Sequence, residues 1–196
     1  MLRRGFRDLC ESHGLEVAGE GASAHDALKL IPEVRPGVAV IEDILQDGTG
    51  IEVSRGVRES VPSTRCLLLT GWEEGRAERA TVLARAAGFL YKQAGDAAGL
   101  VDALRAVASG RTLLTPDARS RASAGLALAA SAPWLDASSE ERQVLALMTQ
   151  DLTNEQIAQK GRLAVDRVED VISSLLLRLG MGGGAGRTGA PSAAAR

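Results

Sequence analysis

Apolar residues in the first 110 positions of this chain follow two alternating periods. Short runs that hold almost no polar residue, such as 38–41 and 66–69, predict strands covered on both faces. Segments with apolar residues three and four positions apart, such as Leu2, Phe6 and Leu9, predict helices. Because strands and helices alternate, this region is predicted to be an α/β fold with a parallel sheet. The predicted helices are 1–13, 22–31, 51–60, 78–87 and 96–109, and the predicted strands are 15–19, 38–41, 66–70 and 88–91.

The pattern becomes purely helical after residue 135. Thr153 is suited to cap a short helix, with Gln156 three residues later completing a capping box. A turn at Gly161 follows, and a second helix is predicted to open at Asp166, whose carboxylate suits the positive end of the helix dipole. Two short helices joined by a tight turn form a helix-turn-helix, whose second helix enters the major groove of DNA. The inward residues of that helix are Val168, Val171, Ile172, Leu175, Leu176 and Leu179.

These patterns divide the chain into four parts. An α/β domain is expected at 1–113, a linker at 114–134 and an all-α helix-turn-helix domain at 135–181. The linker contains an alanine-rich stretch, 117–130, that favours a helix, and Trp134 after it is expected to pack rather than to stack on a ligand. Residues 182–196 are of low complexity, which predicts disorder and suggests a truncated or frame-shifted gene end.

Composition and charge exclude several classes of function. The net charge of −2 does not by itself indicate a nucleic-acid or membrane-surface partner. Cys10 and Cys66 are expected to be buried thiols, and His13 and His25 to be solvated, so we expect no metal and no cofactor. Without a long apolar run or a signal peptide pattern, a soluble cytoplasmic protein is expected. No nucleophile–base pair or phosphate loop is found, which argues against an enzyme.

Polar residues follow three of the predicted strands. Glu42 and Asp43 follow the first apolar run, Thr70 ends the next and Lys92 follows the last. The carboxyl ends of parallel strands meet at one edge of the sheet, where such folds place their sites. A carboxylate, a hydroxyl and an ammonium are therefore expected to converge there.

The segments VAVIEDILQDGTGIE, CLLLTGW and AAGFLYKQ resemble the receiver domain of response regulators. The resemblance implies a flavodoxin-like fold in which an Asp after the third strand takes a phosphoryl group from a histidine kinase. It also implies that a Thr and a Lys sense the phosphoryl oxygens and that an acidic pair after the first strand holds Mg²⁺. Thr70, Lys92 and the aromatic Phe89 match the switch positions, Phe89 standing where Tyr is common.

Two departures from the receiver pattern change these expectations. The phospho-acceptor position matches Glu42, and Asp43 beside it is expected to point to the opposite face and not to substitute. Glu42 either imitates part of the charge of a phosphoaspartate or marks a site that has lost its function. Met1 matches the first helix, so the first strand and its acidic pair are missing, and the strands on either side must close up unless the true start lies upstream. No Mg²⁺ site and no phosphorylation by a histidine kinase are therefore expected.

The segments EERQVLALM, LTNEQIA and VISSLLLRLGM resemble the LuxR-type DNA-binding domain of NarL/FixJ response regulators. The resemblance implies double-stranded DNA as the partner and a fourth helix that contributes to dimers. Thr153 and Asn154 then begin the scaffold helix, and Arg162, Arg167 and Arg178 are the candidates for phosphate contacts. The groove-facing positions are Asp166, Glu169 and Asp170.

The acidic groove-facing set leaves two functions open. Residues 133–181 hold eight acids and five bases, whereas DNA affinity comes largely from Lys and Arg that displace counterions. The first hypothesis is a DNA-binding transcriptional regulator that acts without conventional phosphorylation. The second is an interaction module that has lost DNA binding and pairs with, or titrates, an intact relative. Either one allows a homodimer or a heterodimer, and no membrane partner is expected.

Overall fold

A computed structural model describes residues 2–92 and 97–182. The helices are α1 (Leu2–Ser12), α2 (Ala24–Val34), α3 (Gly50–Ser60), α4 (Glu74–Ala84), α5 (Ala97–Ala108), α6 (Pro116–Ser131), α7 (Ser139–Met148), α8 (Asn154–Gly161) and α9 (Val165–Arg178). The strands are β1 (Val38–Glu42), β2 (Ile44–Leu45), β3 (Gly48–Thr49), β4 (Arg65–Thr70) and β5 (Gly88–Tyr91). The predicted helix start at Asp96 and all but Gly182 of the predicted disordered tail lie outside the described residues.

The main sheet of the described chain is parallel, in the order β1-β4-β5. Successive side chains of β4 point to opposite faces, and both faces are covered. Leu67 packs with α1 and α5, whereas Leu68 packs with the core beneath α3 and α4. Cys66 is buried as predicted, and burial raises the pKa of its thiol to about 11. β2 and β3 form a small antiparallel hairpin that the sequence did not predict.

The predicted strand at 15–19 is wrong. Leu15 and Val17 are half-buried and their neighbours Glu16 and Ala18 are exposed, as in a strand, but this segment joins no sheet in the described chain. A cleft of about 770 Å³ separates it from the free edge of β1. Closing-up of these two neighbours, one of the two alternatives expected for them, does not occur, and within the described residues the segment has no strand beside it with which to form a ladder.

Three helix boundaries differ from the prediction by three or more residues: the end of the second helix and both ends of the fourth, which ends at Ala84 and not at residue 87, where the Arg85 amide closes its last turn. The second helix does not stop before Pro32 but continues to Val34, and the amide of Arg35 closes its last turn on Ile31. A proline there removes only one hydrogen bond, close to the helix end. The fourth helix begins at Glu74 and not at residue 78, because the Glu73 carboxylate caps it by accepting from the Gly75 amide.

The alanine-rich helix predicted in the linker is α6, which packs against both α4 and α7. Trp134, just after it, was expected to pack, but 69% of its surface is exposed and the expectation is wrong. The three helices α7, α8 and α9, residues 139–178, form a compact group that we call the three-helix unit. No helix in the described part of the chain combines the length and apolarity needed to cross a membrane.

Glu141 ties the first helix of the three-helix unit to the last. Its carboxylate accepts from the Ser138 amide at 2.7 Å, from the Ser174 hydroxyl at 2.6 Å and from Arg178 Nε at 3.1 Å. The Ser174 hydrogen bond is the main cause that lowers the pKa of Glu141 from 4.5 to about 2. Because the folded pKa lies below the ordinary one, this stabilisation is complete above about pH 4.5 and is lost as the pH falls toward 2.

Replacing Glu141 with glutamine is expected to lower the free energy of unfolding at pH 7 by about 1–2 kcal/mol, since charge-assisted hydrogen bonds are lost. The difference between Glu141→Gln and the natural protein should shrink as the pH falls from 4.5 to 2, as measured by urea unfolding monitored by circular dichroism. Glu155→Gln, at an exposed position of α8, is the control. A constant difference across that pH range would contradict the assignment.

Candidate functional site

Asp43, Thr70 and Lys92 meet at the carboxyl edge of the sheet, and with Glu42 they form what we call the strand-end cluster. The Thr70 hydroxyl donates to Asp43 Oδ2 at 2.9 Å, and Lys92 Nζ donates to Asp43 Oδ1 at 2.7 Å. The Glu42 carboxylate lies 3.7 Å from Lys92 Nζ, and 40% of its side chain is exposed. The convergence expected from the strand ends is therefore present, but it is centred on Asp43.

The expectation that Asp43 points away from Thr70 and Lys92 is wrong. Alternation does send Glu42 and Asp43 to opposite faces, but Asp43 is the one on the side of the hydroxyl and the ammonium. Its amide donates to the Leu69 carbonyl, which extends the pairing with β4 one residue past β1. Asp43 is consequently buried, at 4% exposure, like Ala39 and Ile41 before it on the same side.

The surroundings of Asp43 keep its carboxylate ionised. Burial opposes ionisation, but the hydrogen bonds from Lys92 and Thr70 outweigh it and lower the pKa of Asp43. Each oxygen has a further amide near it, Ile44 N at 3.0 Å from Oδ1 and Gly71 N at 3.4 Å from Oδ2. Within residues 2–92 and 97–182, no three His, Cys, Asp or Glu side chains cluster as metal ligands would.

Phe89, the residue at the predicted switch position, is half-buried in β5. Its ring packs against the core and meets the Tyr91 ring edge-on, with centroids 5.4 Å apart and an angle of 79° between the planes. Tyr91 is 41% exposed. This places an aromatic pair next to Lys92, on the strand that ends at the cluster.

The helix-turn-helix predicted from the sequence is formed by α8 and α9. Thr153 caps α8 as predicted, since its hydroxyl accepts from the Gln156 amide and the Gln156 side chain accepts from the Thr153 amide. Arg162 ends α8 in the left-handed conformation. The second helix begins at Val165, one residue earlier than predicted, and no side chain caps it. Five of the six predicted inward residues are buried, and the sixth, Leu179, is half-buried just after the helix end. The exposed outer residues include Asp166, Arg167, Glu169 and Asp170.

Two of the three arginines proposed for phosphate contacts are already paired with carboxylates. Arg167 donates twice to Glu140, at 3.0 and 2.7 Å. Arg178 is bound by Glu141 and also lies 3.5 Å from the Asp136 carboxylate. Of the three, only Arg162 has no ion pair in the described part of the chain, so the outer face offers little free positive charge.

Arg55 of α3 fastens the helix-turn-helix to the α/β part of the chain. It is 1% exposed, and its guanidinium donates to Asn154 Oδ1 at 2.7 Å, to the Leu83 carbonyl at 2.8 Å and to the Leu152 carbonyl at 2.9 Å. Burial, and secondarily the nearby Arg85, lower the pKa of Arg55 to about 10. Asn154, a predicted DNA-binding residue, is therefore buried at 4% exposure.

Further hydrogen bonds join α3 to the helix-turn-helix. The Glu59 carboxylate accepts from the Asn154 amide, and the Glu52 carboxylate accepts from the Ser173 hydroxyl on α9. Outside α3, Arg85 pairs with Asp151 at 3.2 Å. Arg55 was missed in the sequence because an arginine on a helix is usually solvated. Its position four residues after the inward Ile51 was the available signal.

A parallel sheet that brings Asp43, Thr70 and Lys92 together at its carboxyl edge, followed by two short helices joined by a tight turn, is the architecture that the resemblance to response regulators implies. Residues 1–105 match the family described as the response regulator receiver domain, and the chain belongs to the response regulator family. It is 38% identical over 186 residues to the DNA-binding transcriptional activator DevR/DosR of Mycobacterium tuberculosis, an alignment covering 92% of this chain and 84% of that protein.

Two solved structures support the same assignment. A LuxR-family two-component response regulator from an Aurantimonas species is 30% identical, with a TM-score of 0.55, and the match covers 63% of this chain and 89% of that one. The receiver domain of the M. tuberculosis putative response regulator NarL is 32% identical, with a TM-score of 0.52, covering 56% of this chain and 89% of that one. The α/β part is therefore a receiver domain with a flavodoxin-like fold, as the resemblance implied.

Proposed function

We propose that this protein is a DNA-binding transcriptional regulator of the two-component type that acts without conventional aspartyl phosphorylation. The observation that carries the proposal is the helix-turn-helix of α8 and α9, capped by Thr153, with the outer residues of α9 exposed. The relative in M. tuberculosis is named a DNA-binding transcriptional activator, which favours the same role here. A cytoplasmic location and the absence of catalytic activity belong to this proposal.

Independence from phosphorylation is supported by the strand-end cluster. Glu42 holds the position that the receiver pattern gives to the phospho-acceptor. Asp43 is not expected to take over, because its carboxylate is buried at 4% exposure and its two oxygens are bound by Thr70 and Lys92, one each, so a phosphoryl donor finds no accessible oxygen. A phosphoryl group attached to Asp43 would have to displace one of these donors in a buried place. A histidine kinase is therefore not expected to act on this protein.

DNA binding is proposed to be weak and to require movement of the helix-turn-helix. Asn154 is buried beneath Arg55, and Ser173 of α9 is bonded to Glu52. Duplex affinity depends on phosphate contacts, and Arg162 is the candidate whose charge is free. A homodimer, or a heterodimer with a related regulator, would add a second set of contacts.

The second candidate function is an interaction module that no longer binds DNA and titrates an intact regulator. The acidic outer face of α9 favours it, because Asp166, Glu169 and Asp170 repel phosphates and Glu140 neutralises Arg167. Such a protein would keep its fold and its pairing surfaces without a DNA target.

Both parts of the proposal are testable on the full chain. After incubation with acetyl phosphate and Mg²⁺, the intact mass is expected to be unchanged, since Asp43 is engaged by Thr70 and Lys92. Fluorescence anisotropy with a random duplex at low salt is expected to show weak binding that the same treatment does not alter. A gain of one phosphoryl mass would refute phosphorylation independence. No binding even at low salt would favour the interaction module.

A further inference from the structure

A cavity of about 380 Å³ lies between α4, α6 and the end of α9. We call it the arginine cavity, because the charged side chains among the described residues that line it are Arg76, Arg79 and Arg178. Its apolar walls include Leu126 and Met181, which are buried at 0% and 2% exposure. A cavity of this size holds a small organic molecule, and its lining suits a ligand that is both apolar and negatively charged.

Arg76 is the arginine of this cavity with which no described carboxylate forms an ion pair. Its guanidinium lies over the Trp72 ring, 4.5 Å from the ring centroid, and donates to the Gly180 carbonyl. Its Nε is buried and has no hydrogen-bond partner in the described part of the chain. Burial lowers the pKa of Arg76. Because a partly buried cation without a counterion is unfavourable, an anion at this place would stabilise it.

The other two arginines of the cavity keep donors for a ligand. Arg79 meets Glu73 at 3.5 Å, and since both side chains are exposed, solvent weakens the pair. Arg178 donates through Nε to Glu141 and through one terminal nitrogen to the Asp136 carbonyl. A guanidinium carries five N–H donors in a planar fork, so each of these arginines can bind an anion without leaving its present partner.

Trp134 gives the cavity an aromatic wall that is largely uncovered. It lines the cavity, yet 69% of its surface is exposed. An indole in this position offers a face on which another planar ring can stack. A ligand ring placed there would cover Trp134 while an anionic group on the ring reached the arginines.

We propose that the arginine cavity binds a small aromatic anion, a planar ring that carries a carboxylate or a phosphate. The ring packs against Trp134 and the apolar walls, and the anionic group is bound by Arg76 with Arg79 and Arg178. The site is separate from the strand-end cluster and from the groove-facing residues of α9, and it requires neither phosphorylation nor DNA. Because α4 and α6 supply one side of the cavity and the end of α9 the other, an occupant stabilises the packing of these elements on one another.

The test uses the full chain labelled with ¹⁵N, because its two tryptophans, Trp72 and Trp134, both lie beside the cavity and each gives one indole N–H signal. Titration with 2-naphthoate is expected to shift both signals saturably. The neutral 2-naphthamide has the same ring, so it should bind at least about ten-fold more weakly. A parallel titration with 2-naphthyl phosphate distinguishes a phosphate from a carboxylate as the preferred anionic group. Equal binding of 2-naphthoate and 2-naphthamide, or no saturable shift with either anion, would overturn the proposal.

Matched variants locate the binding site. Arg76→Met removes the guanidinium that has no counterion and should weaken 2-naphthoate binding at least about ten-fold. Arg119→Met removes an arginine of α6 that does not line the cavity, so it should bind within a few-fold of the natural protein. Equal losses for these two variants would contradict the assignment.

A third variant keeps the test independent of the structural contacts of Arg76. Trp134→Ala changes an exposed position, so the fold should persist, and binding should weaken about three- to ten-fold when measured on the Trp72 signal. If Arg76→Met loses its circular dichroism spectrum, Trp134→Ala decides. Unchanged binding of 2-naphthoate by Trp134→Ala would show that the ligand does not occupy the arginine cavity.

Discussion

Replacing Arg55 with methionine is expected to lower the free energy of unfolding by about 3 kcal/mol or more. The side chain is 1% exposed, and its removal leaves two buried acceptors without a donor, Asn154 Oδ1 and the Leu83 carbonyl, at about 1–3 kcal/mol for each, and a third, partly buried acceptor at Leu152. Methionine fills most of the space, so the loss reflects hydrogen bonding and not a cavity. Urea unfolding of the full chain, followed by circular dichroism, measures the change.

The control for this prediction lies on the same helix. Arg58 is only half-buried and donates to the Pro62 carbonyl at an exposed position, so Arg58→Met should cost less than about 1 kcal/mol. Asn154→Ala combined with Arg55→Met gives a double-mutant cycle that isolates the bond between the two residues. Equal losses for Arg55→Met and Arg58→Met would show that the docking does not depend on Arg55.

The bonds of Arg55 also link the stability of the fold to the position of the helix-turn-helix. Arg55 is bonded both to the α4 end, at Leu83, and to the start of the helix-turn-helix, at Leu152 and Asn154. Any movement that frees Asn154 for DNA must therefore break a buried bond of Arg55. The receiver domain and the helix-turn-helix are consequently coupled through direct contacts, in which the buried bonds of Arg55 are joined by those of Glu59, Glu52 and Arg85.

Features governed by local chemistry were predictable from the sequence. The apolar runs at β1 and β4 predicted a buried parallel sheet, because short runs bounded by turn residues are typical of strands that are covered on both faces. Thr153 and Gln156 predicted the start of α8 because both hydrogen bonds of a capping box lie within one helical turn. The strand-end cluster followed from parallel topology, which brings Thr70 and Lys92 to one edge.

Features that depend on distant partners were not predictable. Residues 15–19 have the pattern of a strand, but a ladder requires a neighbour, and the structure places a cleft there. The hydrogen bond between Arg55 and Asn154 joins residues that are 99 positions apart in the sequence, so no local sequence pattern predicts it. The direction of the Asp43 side chain was predicted wrongly. The alternation of side chains along a strand shows that Glu42 and Asp43 point to opposite faces, but it does not show which of the two faces Thr70 and Lys92.

The variant Glu169→Lys/Asp170→Asn is expected to tighten binding to a random duplex by about ten-fold at low salt. Both residues lie on the exposed outer face of α9, where the natural side chains repel phosphates and a lysine can displace a counterion. Each additional bond to a phosphate should steepen the logarithmic salt dependence of the binding constant by about one unit. Anisotropy titrations over a series of salt concentrations measure both quantities.

A control with the same change in charge decides whether position matters. Glu33→Lys/Asp102→Asn also raises the formal net charge from −2 to +1, at exposed positions on α2 and α5 far along the chain from α9. If α9 enters the groove, only the α9 variant shows higher affinity and a steeper salt slope. If both variants improve equally, net charge alone acts and the outer face of α9 does not approach the phosphates. If neither binds, the acidic face is not what prevents binding, and the docking of Asn154 beneath Arg55 becomes the obstacle to remove.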